Sequence, residues 1–173
     1  MKNKKLIYKN NIKKNYFNIS TNVKLKKKYS NILKNIFDNL DIAKNTFHCL
    51  SKKYEFNFKK KDLSKFKKFK TVVIIGMGGS ILGSEALYCF LNKKIKKDFL
   101  FLNDIDHNKL KMLKNKKDLN KILFIVISKS GNTIETLSNF ISLKITKKNS
   151  KNIIIISENN NNPLHMLAKK FNL

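Results

Sequence analysis

From residue 31 onward apolar side chains recur at helical spacing: Ile32, Leu33, Ile36, Phe37, Leu40, Ala43, Phe47 and Leu50. That stripe predicts a helical segment ahead of the main body of the chain. His48 lies beside it, as a helix-surface or core-edge residue rather than a catalytic one. After Lys70 the pattern changes. Four short, almost wholly apolar runs follow: Val72 to Ile75, "DFLFLND", "KILFIVIS" and "NIIIIS". Between them stand helical segments, expected over about Ile81 to Asn92, in "IDHNKLKMLK", and over about Thr133 to Lys147. A last one, "NPLHMLAKKF", places Pro163 near its first turn, where its fixed φ suits a helix start. Strands that are apolar throughout are expected to be buried on both faces, with the helices forming right-handed crossovers. The predicted fold is therefore α/β: a doubly wound, mostly parallel sheet preceded by a helical N-terminal segment.

This texture divides the chain into a helical lead-in with a basic connector, 1–70, and an α/β domain, 71–173. Residues 1 to about 20, rich in Lys and Asn, are expected to be irregular. The final helix reaches Leu173 with no strand after it, so the sheet is expected to be either very small or truncated at its C-terminal end.

Composition adds a core and a charge. Apolar residues make up 42% of 173, enough for a globular domain rather than a disordered chain. Cations number 38 against 11 carboxylates, a net of +27, and every cation is lysine. Such a balance first suggests nucleic acid or an anionic membrane. Sequence-specific readers, however, rely on the planar fork of arginine. Lysine here is spread through the chain among Asn and Ile, which suits compositional drift better than a binding face. Its field still concentrates anionic substrates.

"YEFNFKKKDLSKFKKFK" interleaves lysine and phenylalanine as single-strand binders do. The plainer reading, lysine stems over a surface and phenylalanines anchoring a connector, is preferred, so no nucleic-acid partner is expected. Cys49 and Cys89 are isolated, have no metal-ligand spacing, and are expected to be buried free thiols in a reducing compartment. The basic start "MKNKKLIYKNNIKK" leads into no apolar run, and no stretch approaches the ~18 to 20 apolar residues of a bilayer span. A soluble cytoplasmic protein with no membrane partner is expected.

The chemistry-bearing signal is where the glycines stand. Three of only five fall in Gly76-Met77-Gly78-Gly79-Ser80, between a strand and a helix. Glycines there permit positive φ and remove the Cβ atoms that would obstruct a ligand. Ser80 falls at the expected helix N-cap, beside unpaired N–H groups and the positive end of the helix dipole. Together these suit phosphate. A dinucleotide fingerprint fails because position 81 is Ile81, and a phosphate-binding Walker loop fails because Ser84 and Glu85 replace its Lys and Ser/Thr. Taken alone, the turn is either a ligand cradle or a tight turn.

The third strand runs into a second such turn, "ISKSGNTIETL". Ser128, Ser130 and Thr133 set three hydroxyls around it, with Lys129 and Gly131 between them. Asn132-x-x-Glu135 also reads as an N-cap with an acidic third residue, and the serines as ordinary turn chemistry. Two hydroxyl-and-glycine turns at strand carboxyl ends in one sheet lie at the edge where open α/β sheets bind ligands.

Gly78-Gly79-Ser80 after one strand, and Ser128-Lys129-Ser130-Gly131-Asn132-Thr133-Ile134-Glu135-Thr136 after a later one, resemble the sugar isomerase (SIS) fold. Within it they are most similar to the amino-terminal portion of the phosphoglucose isomerase family, over about 71–173. The resemblance implies aldose–ketose isomerisation of glucose 6-phosphate and fructose 6-phosphate, in glycolysis and gluconeogenesis. It implies that Ser80, Ser128, Ser130 and Thr133 bind phosphate oxygens, with Gly79, Lys129, Gly131 and Asn132 lending backbone N–H groups or position. Glu135 would support a ring-opening histidine. No metal or organic cofactor is implied, and the full-length enzyme would be a homodimer. The family's base glutamate, its Gly-Gly-Arg arginine, and its histidine and lysine match nothing in this chain, which contains no arginine. His107 and His165 are no matched substitutes; His165 is expected in an exposed first turn. A non-catalytic sugar-phosphate sensor and another SIS isomerase are the alternatives, and Lys129 favours the phosphoglucose isomerase pattern over most of these.

Overall fold

A computed structural model describes the backbone of residues 19–115, 118–147 and 150–173, with side chains from residue 23 onward. Contacts divide the chain into two compact units, Met1–Phe58 and Lys59–Leu173.

In the first unit, α1 (Ile19–Asp38) is followed by turns and a short 3₁₀ helix at His48–Leu50. The apolar stripe predicts helix as far as Leu50, but the helix stops at Asp38. Asn39 ends it, its side-chain amide donating to the Asn35 carbonyl at 2.8 Å, the kind of local bond that competes with helix propagation. The stripe also stays wet: Ile32, Phe37 and Leu50 are 49%, 65% and 69% exposed. His48 is structural, as expected, with Nδ1 2.7 Å from the Leu40 carbonyl oxygen and its ring edge-on to Tyr54.

The second unit is built on four parallel strands, β1 (Thr71–Gly76), β2 (Asp98–Leu102), β3 (Ile122–Ile127) and β4 (Ile153–Ile156), in the order β2-β1-β3-β4. Four helices accompany them: α2 (Leu82–Leu91), α3 (His107–Lys114), α4 (Ile134–Ser142) and α5 (Pro163–Phe171). Side-chain alternation along the strands sorts the core into two clusters. Val73, Ile75, Phe124 and Val126 meet Leu110 and Leu113 of α3, Phe140 of α4 and Leu164 of α5. Val72, Ile74 and Leu123 meet Ile81 and Phe69. The doubly wound α/β reading therefore holds.

Three expectations need correction. Burial on both faces is complete only for β1, apart from its first residue; at the edge, Ile156 of β4 is 51% exposed, because an edge strand has a neighbour on one side only. Cys49 and Cys89 are free but exposed, not buried. Helix α2 leans on the second cluster through Tyr88, which packs against Phe99 and Phe101, and Cys89 sits a further 100° around the helix. Finally, α4 ends at Ser142 rather than near Lys147. Lys144 takes up a left-handed φ of 52°, donates to the Ile141 carbonyl, and so closes the helix before the buried Ile145.

In the connector, Lys60–Phe66 is a 3₁₀ helix; Phe66 and Phe69 pack into the second core cluster as anchors should, whereas Phe56 and Phe58 are exposed and anchor nothing there. The lysines whose side chains are described all lie at exposed or half-exposed positions.

Candidate functional site

The two glycine turns leave neighbouring strands at the same level. Gly76, the last residue of β1, pairs with Ile127, the last of β3. From β1 the chain moves outward to β2, then returns across β1 to β3. The winding therefore reverses between β1 and β3, the topological switch point at which such sheets form a crevice.

The first turn is a tight one. Gly78 has a φ of 52°, and Gly78–Ser80 form a single 3₁₀ turn closed by Ser80 N–H to Met77 O and Ile81 N–H to Gly78 O, each 3.1 Å. That turn displaces Ser80 from the helix N-cap expected of it; the cap position of α2 belongs to Ile81. A Cβ built on Gly76 would lie 3.0 Å from the Ile127 carbonyl oxygen and 3.3 Å from Ser80 Cβ. Ser80 is thus held against the seam between β1 and β3. By contrast, a Cβ on Gly79 would meet nothing within 4 Å, so this side of the turn is open.

The second turn is braced from inside. Ser128 is only 2% exposed; its Oγ accepts the Gly131 N–H at 3.1 Å and lies 3.0 Å from Thr133 Oγ1. Ser128 therefore sits beneath the turn, with Lys129 and Ser130 exposed above it. Gly131, at φ 67°, makes the bend, and Asn132 N–H donates to Ser130 Oγ at 3.3 Å. Thr133, not Asn132, is the N-cap of α4, and it makes no side-chain cap bond. Asn132 falls one residue too early, so the capping reading of Asn132 and Glu135 is set aside. Lys129 Nζ approaches Glu158 Oε1 at 3.9 Å, but the lysine side chain is 87% exposed, so the pair adds little.

The helix starts carry the strongest chemical sign. Asp106 caps α3, accepting from Asn108 N–H at 2.8 Å and Lys109 N–H at 3.2 Å. Asn162 caps α5, accepting from His165 N–H at 2.8 Å. The helices that follow the two glycine turns, α2 and α4, have no such cap. Their first amides keep the donor capacity and the dipole end that an anion would satisfy. Ser80, Ser130 and Thr133 add hydroxyl donors. Both turns thus leave hydroxyls and uncapped helix amides at the carboxyl ends of neighbouring strands.

Among candidate acid–base groups, Glu135 is half-buried in the first turn of α4. His107 is exposed as the first residue of α3, and His165 is half-buried rather than exposed in the first turn of α5. Asn162 escaped the sequence reading, which saw at "NP" only a helix start; its buried side chain packs on Gly131. A cavity of about 900 Å³ lies at the opposite, amino-terminal edge of the sheet, among Lys68, Lys70, Lys121 and Asp118, and takes no residue from either turn. Among the described residues no group of three or more His, Cys, Asp or Glu could hold a metal, and no helix is long and apolar enough to cross a membrane.

Known proteins share this stretch of sequence. A family model described as phosphoglucose isomerase matches residues 52–169. A glucose-6-phosphate isomerase of Methanocaldococcus jannaschii is 38% identical over 116 residues, covering 64% of this chain and 29% of the relative. One from Borrelia garinii subsp. bavariensis is 46% identical over 79 residues, covering 42% of this chain and 15% of the relative. The match thus spans less than a third of either relative's length. Among solved structures, a hypothetical protein of Thermus thermophilus superposes with a TM-score of 0.51 at 27% identity, over 60% of this chain and 26% of that one. With the family model covering well over half of its length, this chain belongs to the phosphoglucose isomerase family.

Proposed function

We propose that this chain supplies the phosphate-binding part of a site that interconverts glucose 6-phosphate and fructose 6-phosphate. The observation that supports it best is the pair of glycine–hydroxyl turns following the register partners Gly76 and Ile127, each opening a helix that no side chain caps. In this reading Ser80, Ser130 and Thr133 donate to phosphate oxygens. Gly79 and Lys129 line the approach, and Gly131 and Asn132 shape the turn. Ser128, being buried, holds Thr133 in place instead of reaching the ligand. Glu135 stands beside the phosphate and supports ring opening once a histidine is supplied. Sugar phosphates are the partners, and no cofactor takes part. In a longer chain that carries the rest of the family's site, the protein works as a homodimer.

The test is a calorimetric or NMR titration of the 173-residue chain with glucose 6-phosphate. Charge-assisted hydrogen bonds contribute roughly 1.5–3 kcal/mol each. Replacing Ser130 and Thr133 with alanine should therefore weaken binding by at least about a hundredfold. Glu135→Ala should leave phosphate affinity nearly unchanged. Wild-type affinity in the doubly substituted chain would rule the site out.

A further inference from the structure

We infer that Asn162 is a positioning residue for the phosphate turn, so that the β4–α5 loop sets the affinity of a site it does not itself line. The inference rests on the site reading above.

Asn162 is 3% exposed, deeper than its neighbours in a polar loop. Its Oδ1 accepts the His165 N–H at 2.8 Å, while its Nδ2 donates to Ser157 Oγ at 3.2 Å and to the Glu158 carbonyl at 3.1 Å, with Asn160 Oδ1 also in contact. One amide thus gathers the whole loop onto the start of α5. The gathered loop then meets the turn. A Cβ on Gly131 would fall 1.8 Å from Asn162 Oδ1 and 2.1 Å from its Cγ, so the two residues are in direct van der Waals contact. Two backbone bonds flank that contact: Glu158 N–H donates to Lys129 O at 3.0 Å, and Leu164 N–H donates to Gly131 O at 3.2 Å.

The turn is therefore fixed at Lys129 and Gly131 from outside, as Ser128 fixes it from inside. A phosphate site needs this, because its hydroxyls and amides must point at one anion before it arrives. Capping α5 alone would need only an oxygen. It would not need the buried contact with Gly131.

The experiment compares wild type with Asn162→Ser and Asn162→Ala, and with Ser130→Ala as site control, each titrated with glucose 6-phosphate and with inorganic phosphate. Thermal unfolding and the amide resonances of Gly131 and Asn132 are recorded on the same samples. Serine keeps a good helix cap but withdraws the amide from Gly131. Asn162→Ser should unfold close to wild type, yet bind both anions about tenfold more weakly, with the Gly131 and Asn132 resonances displaced in the free protein. Asn162→Ala should lose affinity equally and stability as well. Affinity for both anions restored by serine, with unmoved resonances, would reduce Asn162 to a helix cap and overturn the inference. Should Ser130→Ala bind as wild type does, the site reading itself falls, and this inference falls with it; that outcome is distinct from the first.

Discussion

Three glycines of the two turns differ in what a side chain would encounter, and the difference separates folding from binding. Gly131 combines a φ of 67° with the Asn162 side chain pressed on its Cα. Alanine there meets backbone strain and a clash together. Gly131→Ala should lower unfolding free energy by about 2–4 kcal/mol in urea denaturation. Gly78, at φ 52° but with open space around it, carries the strain alone and should cost about 1 kcal/mol. Gly79 has neither constraint. Gly79→Ala should change stability by less than about 0.5 kcal/mol, yet reduce affinity for glucose 6-phosphate, because the new methyl group projects into the ligand's approach. Unaltered affinity in that variant would mean the open side of the first turn faces only solvent.

At the level of elements, short caps and pairs decide where strands and helices begin. Before β3, Asp118 accepts from Asn120 N–H at 3.1 Å and pairs with Lys121 Nζ at 3.2 Å. The hydrogen bond from Lys121 is the main cause that holds the Asp118 carboxyl below its ordinary value, with the Asn120 amide helping. A folded-state value below the unfolded one means the unfolded chain binds the proton more readily. The pair therefore stabilises at neutral pH, and that contribution is lost as pH falls through the folded-state midpoint. Both partners are solvent-accessible, so the effect is small. NMR titration should place Asp118 below an ordinary aspartate, and Lys121→Met should raise its midpoint. A midpoint that ignores the substitution would show that the Asn120 amide alone sets it.

For the whole molecule, grip and chemistry are separable. Moving a proton between C1 and C2 of a sugar phosphate needs a base beside those carbons and a cation for the enediolate. No arginine occurs in these 173 residues, and in the proposed reading both turns serve the phosphate end. A coupled assay on monodisperse protein should accordingly detect no interconversion of glucose 6-phosphate and fructose 6-phosphate, while binding persists. Turnover abolished by Glu135→Gln would instead make Glu135 the base and reverse the division of labour proposed here.

Much of this was legible in the residues themselves. Uniform apolar runs can satisfy their pattern only inside a sheet, and glycines after a strand mark a tight bend with no side chains in the way, so strand identity and both turns follow from local chemistry. The motif around Ser128 to Thr136 carried the family. Local pattern could not decide what depends on neighbours distant in sequence. That Cys89 faces water and that Ser128 lies beneath its turn are matters of which face another element covers. Asn162 stands 31 residues beyond Gly131, and only the parallel pairing of β3 with β4 brings the α5 cap onto the turn. Likewise, Gly76 and Ile127 are 51 residues apart, and only strand order sets them side by side where the winding reverses. A sequence specifies which groups can bond locally; the register between strands decides which distant groups come together.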